Sequence, residues 1–160
     1  MAHAAPRAAR ADELVALGAL VVGHRLFERY GLTPLALTRG LAAGLAAGDA
    51  VTVLEDDGRP VGFSWSVPRG GFGRAPYLRL LVVGAGATGR GVGTTLMDDF
   101  EARAFAFADD VFLLVTDDNA AALRFYRERG YRCVGRIDDF VRPGLHELIL
   151  RKRRPADPSP

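Results

Sequence analysis

The chain has 160 residues, 49% of them hydrophobic, which suits one compact domain with a single sizeable core. Its net charge of +2 arises from 20 arginines and one lysine against 19 acids, spread along the chain, so composition offers no stripe for nucleic acid. No apolar stretch approaches the roughly 18 residues that span a bilayer, and the first residues lack the apolar core of a secretory signal, so a cytoplasmic location is expected, with no membrane partner.

Asp12 to Tyr30 reads as an amphipathic helix, with Leu14, Leu17, Val21, Leu26 and Tyr30 on its apolar stripe and Gly31 as its stop. Gly18 and Gly23 weaken it from within. A second, Ala-rich helix runs from Pro34 to Ala47, and Val51–Leu54 with Val61–Val67 form a hairpin around Glu55-Asp-Asp-Gly58. Trp65 on that hairpin reads as a half-buried sheet aromatic. A long Gly-rich turn, Pro68 to Pro76, then leads into a strand at Tyr77–Val83.

The glycine-rich run from Gly84 to Gly93 follows, ahead of a helix with Val92, Leu96, Phe100 and Phe107 on one face. The uninterrupted apolar run Val111–Val115 predicts a strand covered on both faces and parallel to the one before the helix, which makes a right-handed βαβ unit. Asp118 or Asn119 caps the next helix, Gly130 ends it, and two strands, about Tyr131–Val141 and Leu145–Lys152, close the chain around Arg142-Pro-Gly144. The basic Arg151 to Arg154 beside the Pro-rich end reads as a frayed, solvated tail. Cys133 is alone and sits in an apolar pattern, so it reads as a buried small hydrophobe. Five Asp-Asp pairs and three scattered histidines show no metal-ligand spacing, so no metal is expected. The bias toward Ala, Arg, Gly and Pro fits a GC-rich, bacterial coding background.

Two segments carry the chemistry. Gly84-Ala-Gly86-Ala-Thr-Gly89 after a strand satisfies G-x-G-x-x-G, and Asp117 ends the next strand where a ribose-binding acid would sit. A dinucleotide helix beginning inside those glycines would carry Gly91 and Gly93 in its first turns, at about 1 kcal/mol each relative to Ala. The extra glycines argue for a longer loop whose bare N–H groups meet a diphosphate. In the second segment, Asn119, Ala122 and Tyr126 stand at i, i+3 and i+7 and share one helix face. Phe125 points about 100° away and is expected to fill the core.

On these residues the chain resembles the GNAT superfamily of acyl-CoA-dependent N-acetyltransferases, best from about Tyr77 to Lys152. The family's phosphate loop, Arg or Gln, two residues, Gly, any residue, Gly or Ala, is matched by Thr88-Gly89-Arg90-Gly91-Val92-Gly93, with Thr88 in place of Arg or Gln. Its pattern Asn-x-x-Ala-x-x-x-Tyr-x-x-x-Gly-Phe is matched by Asn119, Ala122, Tyr126, Gly130 and Tyr131. The resemblance implies a single α/β domain over residues 1–154 with a flexible tail at 155–160. It also implies a mixed, mostly antiparallel twisted sheet with one central parallel βαβ unit and helices on both faces.

It implies acetyl-CoA as co-substrate, with its diphosphate on Thr88 through Thr94 and its pantetheine arm along Leu81, Val82 and Val83, close to Asn119, Ala122 and Tyr126. Tyr126 would protonate the departing thiolate, and a strand N–H near Val83 would hold the oxyanion. The expected reaction is direct transfer of acetyl to a primary amine of a small molecule or of a peptide or protein N-terminus. Asp117, Asp139, His146 and Glu147 are open candidates for the base, each also readable as a turn or surface residue. The alternatives are a sensor that holds acyl-CoA without turnover and a small NAD-type dinucleotide-binding protein. Exposed strand edges near the C-terminal end make a homodimer a further expectation.

Overall fold

The computed structural model describes residues 5–156. The expected 1–154 domain and 155–160 tail each reach beyond that range. β1 (Arg7–Ala8) leads through a 3₁₀ turn (Ala11–Glu13) to α1 (Leu14–Ala19), α2 (Arg25–Arg29) and α3 (Pro34–Ala46). The strands β2 (Ala50–Asp56), β3 (Arg59–Gly71) and β4 (Ala75–Val83) follow, then a 3₁₀ turn (Ala85–Ala87) and α4 (Val92–Phe105). The chain closes with β5 (Asp110–Thr116), α5 (Ala120–Glu128), β6 (Arg132–Ile137) and β7 (Glu147–Arg153). One seven-stranded sheet runs in the order β1-β2-β3-β4-β5-β7-β6, and β4 with β5 is its parallel pair.

The single helix expected over 12–30 is broken. Gly23 takes φ +80°, where a helix cannot continue. Gly18 stands where α1 crosses α3, and a Cβ there would lie 2.6 Å from the Pro34 carbonyl oxygen. The first hairpin turns on Asp57 and Gly58, both left-handed, as an Asp-Gly turn of two residues requires. The long turn expected over 68–76 is mostly strand, because β3 pairs with β4 out to Gly71 and only 72–74 connect them. Phe72 at that tip lies edge-on against Phe112, with ring centroids 5.2 Å apart.

Helices cover both faces. Leu17, Leu37 and Leu41 from the N-terminal helices pack on Val53, Phe63 and Trp65. Met97, Phe100 and Leu123 pack on the opposite face, against Leu113, Val115 and Leu150. β5 is covered fully on the α4 and α5 side alone: Val111, Leu113 and Val115 are buried, whereas Phe112 and Leu114 are half-buried on the other side, where a cleft opens. Phe107 falls beyond α4 and is exposed.

The closing strands are shorter than their hydrophobic pattern suggests, and 138–146 form a loop whose Asp139 carboxylate accepts from the Gly144 N–H at 2.6 Å. Arg151 and Lys152 are not tail residues. They lie in β7, paired with Asp110 at 2.8 Å and Glu101 at 2.6 Å, while Arg154 bonds Asp109. Cys133 is exposed, because β6 is the outer edge of the sheet. Among the described residues no helix is long and apolar enough to cross a membrane.

Candidate active site

β4 and β5 pair only at Tyr77 with Phe112 and Leu78 with Leu113, then run on without hydrogen bonds between them. The cause lies in β4, where Arg79 is left unpaired between Leu78 and Leu80 in the register with β3, a bulge that bends the strand. The gap belongs to a cleft of about 590 Å³ lined by Leu80, Leu81, Leu114, Val115, Asn119, Ala122 and Tyr126 among others. The Gly84 N–H donates to the Val61 carbonyl of β3 at 2.8 Å. Strand alternation therefore turns the N–H groups of Leu81 and Val83 toward the gap and that of Val82 toward β3. Val82, expected beside the pantetheine arm, has its side chain in the core under α1 and α3.

The glycine run does not open a helix directly. It passes a 3₁₀ turn, and Gly89 and Gly91 take φ +76° and +81° before α4 starts at Val92. Gly91 has no side chain to cap the helix, and among the described residues the N–H groups of Val92, Gly93 and Thr94 meet no acceptor. Three bare donors at a helix start form an anion nest. A Cβ at Gly86, Gly89 or Gly91 would meet nothing within 4 Å, so open space lies over the loop. This room and these donors fit a diphosphate. Thr88 donates to the Ala85 carbonyl at 3.4 Å, and Arg90 pairs with Asp56 at 2.5 Å on the rim. Val92 points its side chain inward. The dinucleotide reading loses its acid as well, since Asp117 is engaged by Arg136 at 2.7 Å.

On α5, the Asn119 side-chain oxygen accepts from the Ala122 N–H at 3.1 Å and caps the helix. Asn119, Ala122 and Tyr126 then share the cleft wall, as their spacing predicts. Tyr126 is only 7% exposed, held edge-on by Phe125 and Tyr131 with centroids 5.1 and 5.5 Å away. Its hydroxyl has no hydrogen-bond partner among the described residues. Burial pushes its pKa well above the usual phenol value, and Arg129 offsets this slightly. Phe125 packs against the same core, as expected, but is the less buried of the two and stands near Gly93 and Val83.

The opposite side of the cleft brings together residues whose pairing no local pattern marks. Glu147, at the start of β7, is 3% exposed and accepts from the Tyr30 hydroxyl and, at 3.5 Å, from that of Thr116. Burial raises the Glu147 carboxyl above its ordinary range, and these two donors only partly offset it. Tyr30 is pushed up to about 12, by burial first and by Glu147 second. Tyr77 is raised by burial too, with Arg79 lowering and Glu147 raising it further. Of the four sequence candidates for a base, Glu147 alone lines the cleft, and it is neither a turn nor a surface residue. Asp139 and His146 face each other in the 138–146 loop, where the Asp139 N–H donates to His146 Nδ1 at 3.3 Å.

Comparison with known proteins follows the same lines. Residues 23–131 match the model of the Acetyltransferase (GNAT) family. No curated protein matches the sequence. Among solved structures, the chain is similar to ribosomal-protein-alanine N-acetyltransferase from Brucella melitensis, at 21% identity and TM-score 0.76 over 94% of this chain and 100% of that one. It is also similar to the yncA protein of Salmonella typhimurium with its cofactor acetyl-CoA, at 15% identity and TM-score 0.71 over 97% and 96%. An aminoglycoside 6'-N-acetyltransferase complexed with coenzyme A gives 14% identity and TM-score 0.77 over 98% and 100%. The chain belongs to the acetyltransferase (GNAT) family, and it is an acyltransferase whose co-substrate is acetyl-CoA.

Proposed function

We propose that the protein transfers acetyl from acetyl-CoA to a primary amine, of a small molecule or of a peptide or protein N-terminus, by direct attack in a ternary complex. One observation carries this: a single cleft through the unpaired β4 and β5 is lined by Leu81 and Tyr126 and by buried Glu147, and the bare donors of α4 begin beside Val83, two residues beyond Leu81 on the same strand. The N–H groups of Val92, Gly93 and Thr94 hold the diphosphate, with the loop from Thr88 to Gly91 as rim, and the helix dipole adds to the attraction. Val83 offers its free N–H group to a pantetheine amide, extending the sheet. Asn119 orients α5, and Ala122 keeps its wall thin.

The co-substrate supplies an activated thioester carbonyl. An alkylamine of pKa near 10 arrives protonated at pH 7, so a base must free its lone pair. Glu147 takes that role, directly or through one water, and its raised pKa brings it closer to the working pH. The nitrogen attacks the carbonyl carbon, the neighbouring Leu81 N–H, deeper in the gap, holds the developing oxyanion, and the C–S bond breaks as C–N forms. Tyr126 meets the departing sulfur as hydrogen-bond donor. Its pKa lies far above the ~8.5 of a thiol, so the phenol stays neutral between turnovers and is refilled at once. Of the two protons the ammonium loses, one ends on sulfur and one in solvent.

The test is release of free coenzyme A thiol across polyamines, aminoglycosides, amino acids and peptide N-termini, beside thermal shifts with acetyl-CoA and with NAD. A ligand at 100 times its Kd adds about 2.7 kcal/mol of stability. Stabilisation by acetyl-CoA with thiol release for at least one amine is expected. Stabilisation without release would favour the sensor, and a shift with NAD alone would overturn the reading. A homodimer through the exposed β6 edge, which carries Val134, belongs to the same proposal and is read by sedimentation.

A further inference from the structure

The bulge that opens the cleft also places Arg79 in its wall, and nothing in the transfer step uses that residue. Its guanidinium lies 4.5 Å from the centroid of the Trp65 ring. Trp65 is itself immobilised: its indole N–H donates to Asp49 at 2.8 Å, and a Cβ on Gly44 would stand 2.7 Å from the ring. α3 is therefore built to accept that indole. Stacking fixes the plane of a guanidinium while leaving its edge donors free. Arg79 has no acceptor among the described residues.

Arg79 and Trp65 sit on the α1 and α3 side of the sheet, away from the glycine loop. A role in gripping the diphosphate is thus excluded by position. They share that side with Tyr77, whose phenol senses both Arg79 and Glu147. The cleft wall holds one cation, Arg79, and one carboxylate, Glu147; Leu26, Leu32 and Val141 supply apolar surface beside them. Such a wall is neutral overall but polarised. Both charges act on the one Tyr77 phenol, so the complement carries an ammonium and a single negative charge close together, beside an apolar body. One guanidinium without a second cation suits a carboxylate better than a phosphate dianion.

The geometry points to an acceptor that is a free α-amino acid with an apolar side chain, its ammonium at Glu147 and its carboxylate on Arg79. This rests on the transferase reading above and narrows its acceptor. The probes are L-leucine and L-phenylalanine against their decarboxylated counterparts, isoamylamine and phenethylamine, in the thiol-release assay. The wild type should prefer the acids by about tenfold or more in kcat/KM, the worth of one charge-assisted pair. Arg79→Gln should raise KM for the acids by about ten- to a hundredfold and leave KM for acetyl-CoA and for the amines unchanged. Arg79→Lys should recover part of the loss, which a merely structural role for the stacked pair would not predict.

Equal use of amines and acids, an Arg79→Gln effect common to both, or turnover of none of the four probes would overturn the assignment. The two readings fail separately. Acetylation of the amines alone would leave the transferase standing without its carboxylate site, whereas absence of acetyl-CoA stabilisation would remove both.

Discussion

Burial raises the pKa of Glu147 and of Tyr126, with opposite consequences for chemistry. The carboxyl becomes a stronger base and the phenol a weaker acid. Glu147→Gln keeps the acceptor oxygen for Tyr30 and Thr116 but removes the proton site. We expect kcat/KM to fall about a hundredfold and the ascending limb of its pH profile, set above the ordinary carboxylate range, to disappear. A limb that persists in the variant would assign the base elsewhere. Stability should move the other way. A carboxyl whose folded pKa is raised contributes fully below the unfolded value and loses that contribution as pH rises through the folded one. At neutral pH the variant should therefore melt no lower than the wild type. Tyr126→Phe should slow turnover about a hundredfold with the acetyl-CoA dissociation constant unchanged, and unchanged turnover would end its role at sulfur.

At the scale of elements, the glycine loop and α4 form the more exposed half of the site. Gly93 has room for a methyl, 3.6 Å from Val83 and 3.8 Å from Phe125, and needs no positive φ. Gly93→Ala should raise the stability of the ligand-free protein by about 0.5–1 kcal/mol through helix propensity. The same methyl stands between Val83 and Phe125, on the path proposed for the arm that joins diphosphate to thioester. Acetyl-CoA should bind about tenfold more weakly, and calorimetry showing full affinity would move the arm off that path. The loop and the α5 face were legible in the sequence because both are local: positive-φ glycines and an i, i+3, i+7 face need no tertiary knowledge. The hydrogen bond from Tyr30 to Glu147 joins residues 117 apart, and no pattern within one element marks that pairing. The helix break at Gly23 and the long β3–β4 pairing were missed as well. At Gly23 the glycine's left-handed backbone won over the hydrophobic stripe that runs across it, and at 68–71 sheet pairing overrode turn-forming residues.

For the whole molecule, the sheet separates two cores, one under α1 and α3 and one under α4 and α5, and the cleft is the seam where the sheet fails to close. Anchors far from the cleft keep the two halves in place. Arg7 of β1 bonds Glu13 at 2.8 Å and also Glu55, and it holds the Glu13 carboxyl below its usual range. On the other half, Arg129 and Lys152 converge on Glu101. The general α/β order and the parallel unit followed from hydrophobic periodicity, and the helices on both faces from the family resemblance. Failure of β4 and β5 to stay paired did not, because it depends on the one-residue bulge at Arg79, which leaves no trace in composition.

Hydrogen exchange at single-residue resolution, with and without acetyl-CoA, reads the central claim directly. The N–H groups of Leu81, Val83, Val92, Gly93 and Thr94 lack acceptors among the described residues, and we expect them to become protected together when the ligand is added, while Val82 changes little. Protection that appears elsewhere and leaves these five amides exchanging as before would contradict the account.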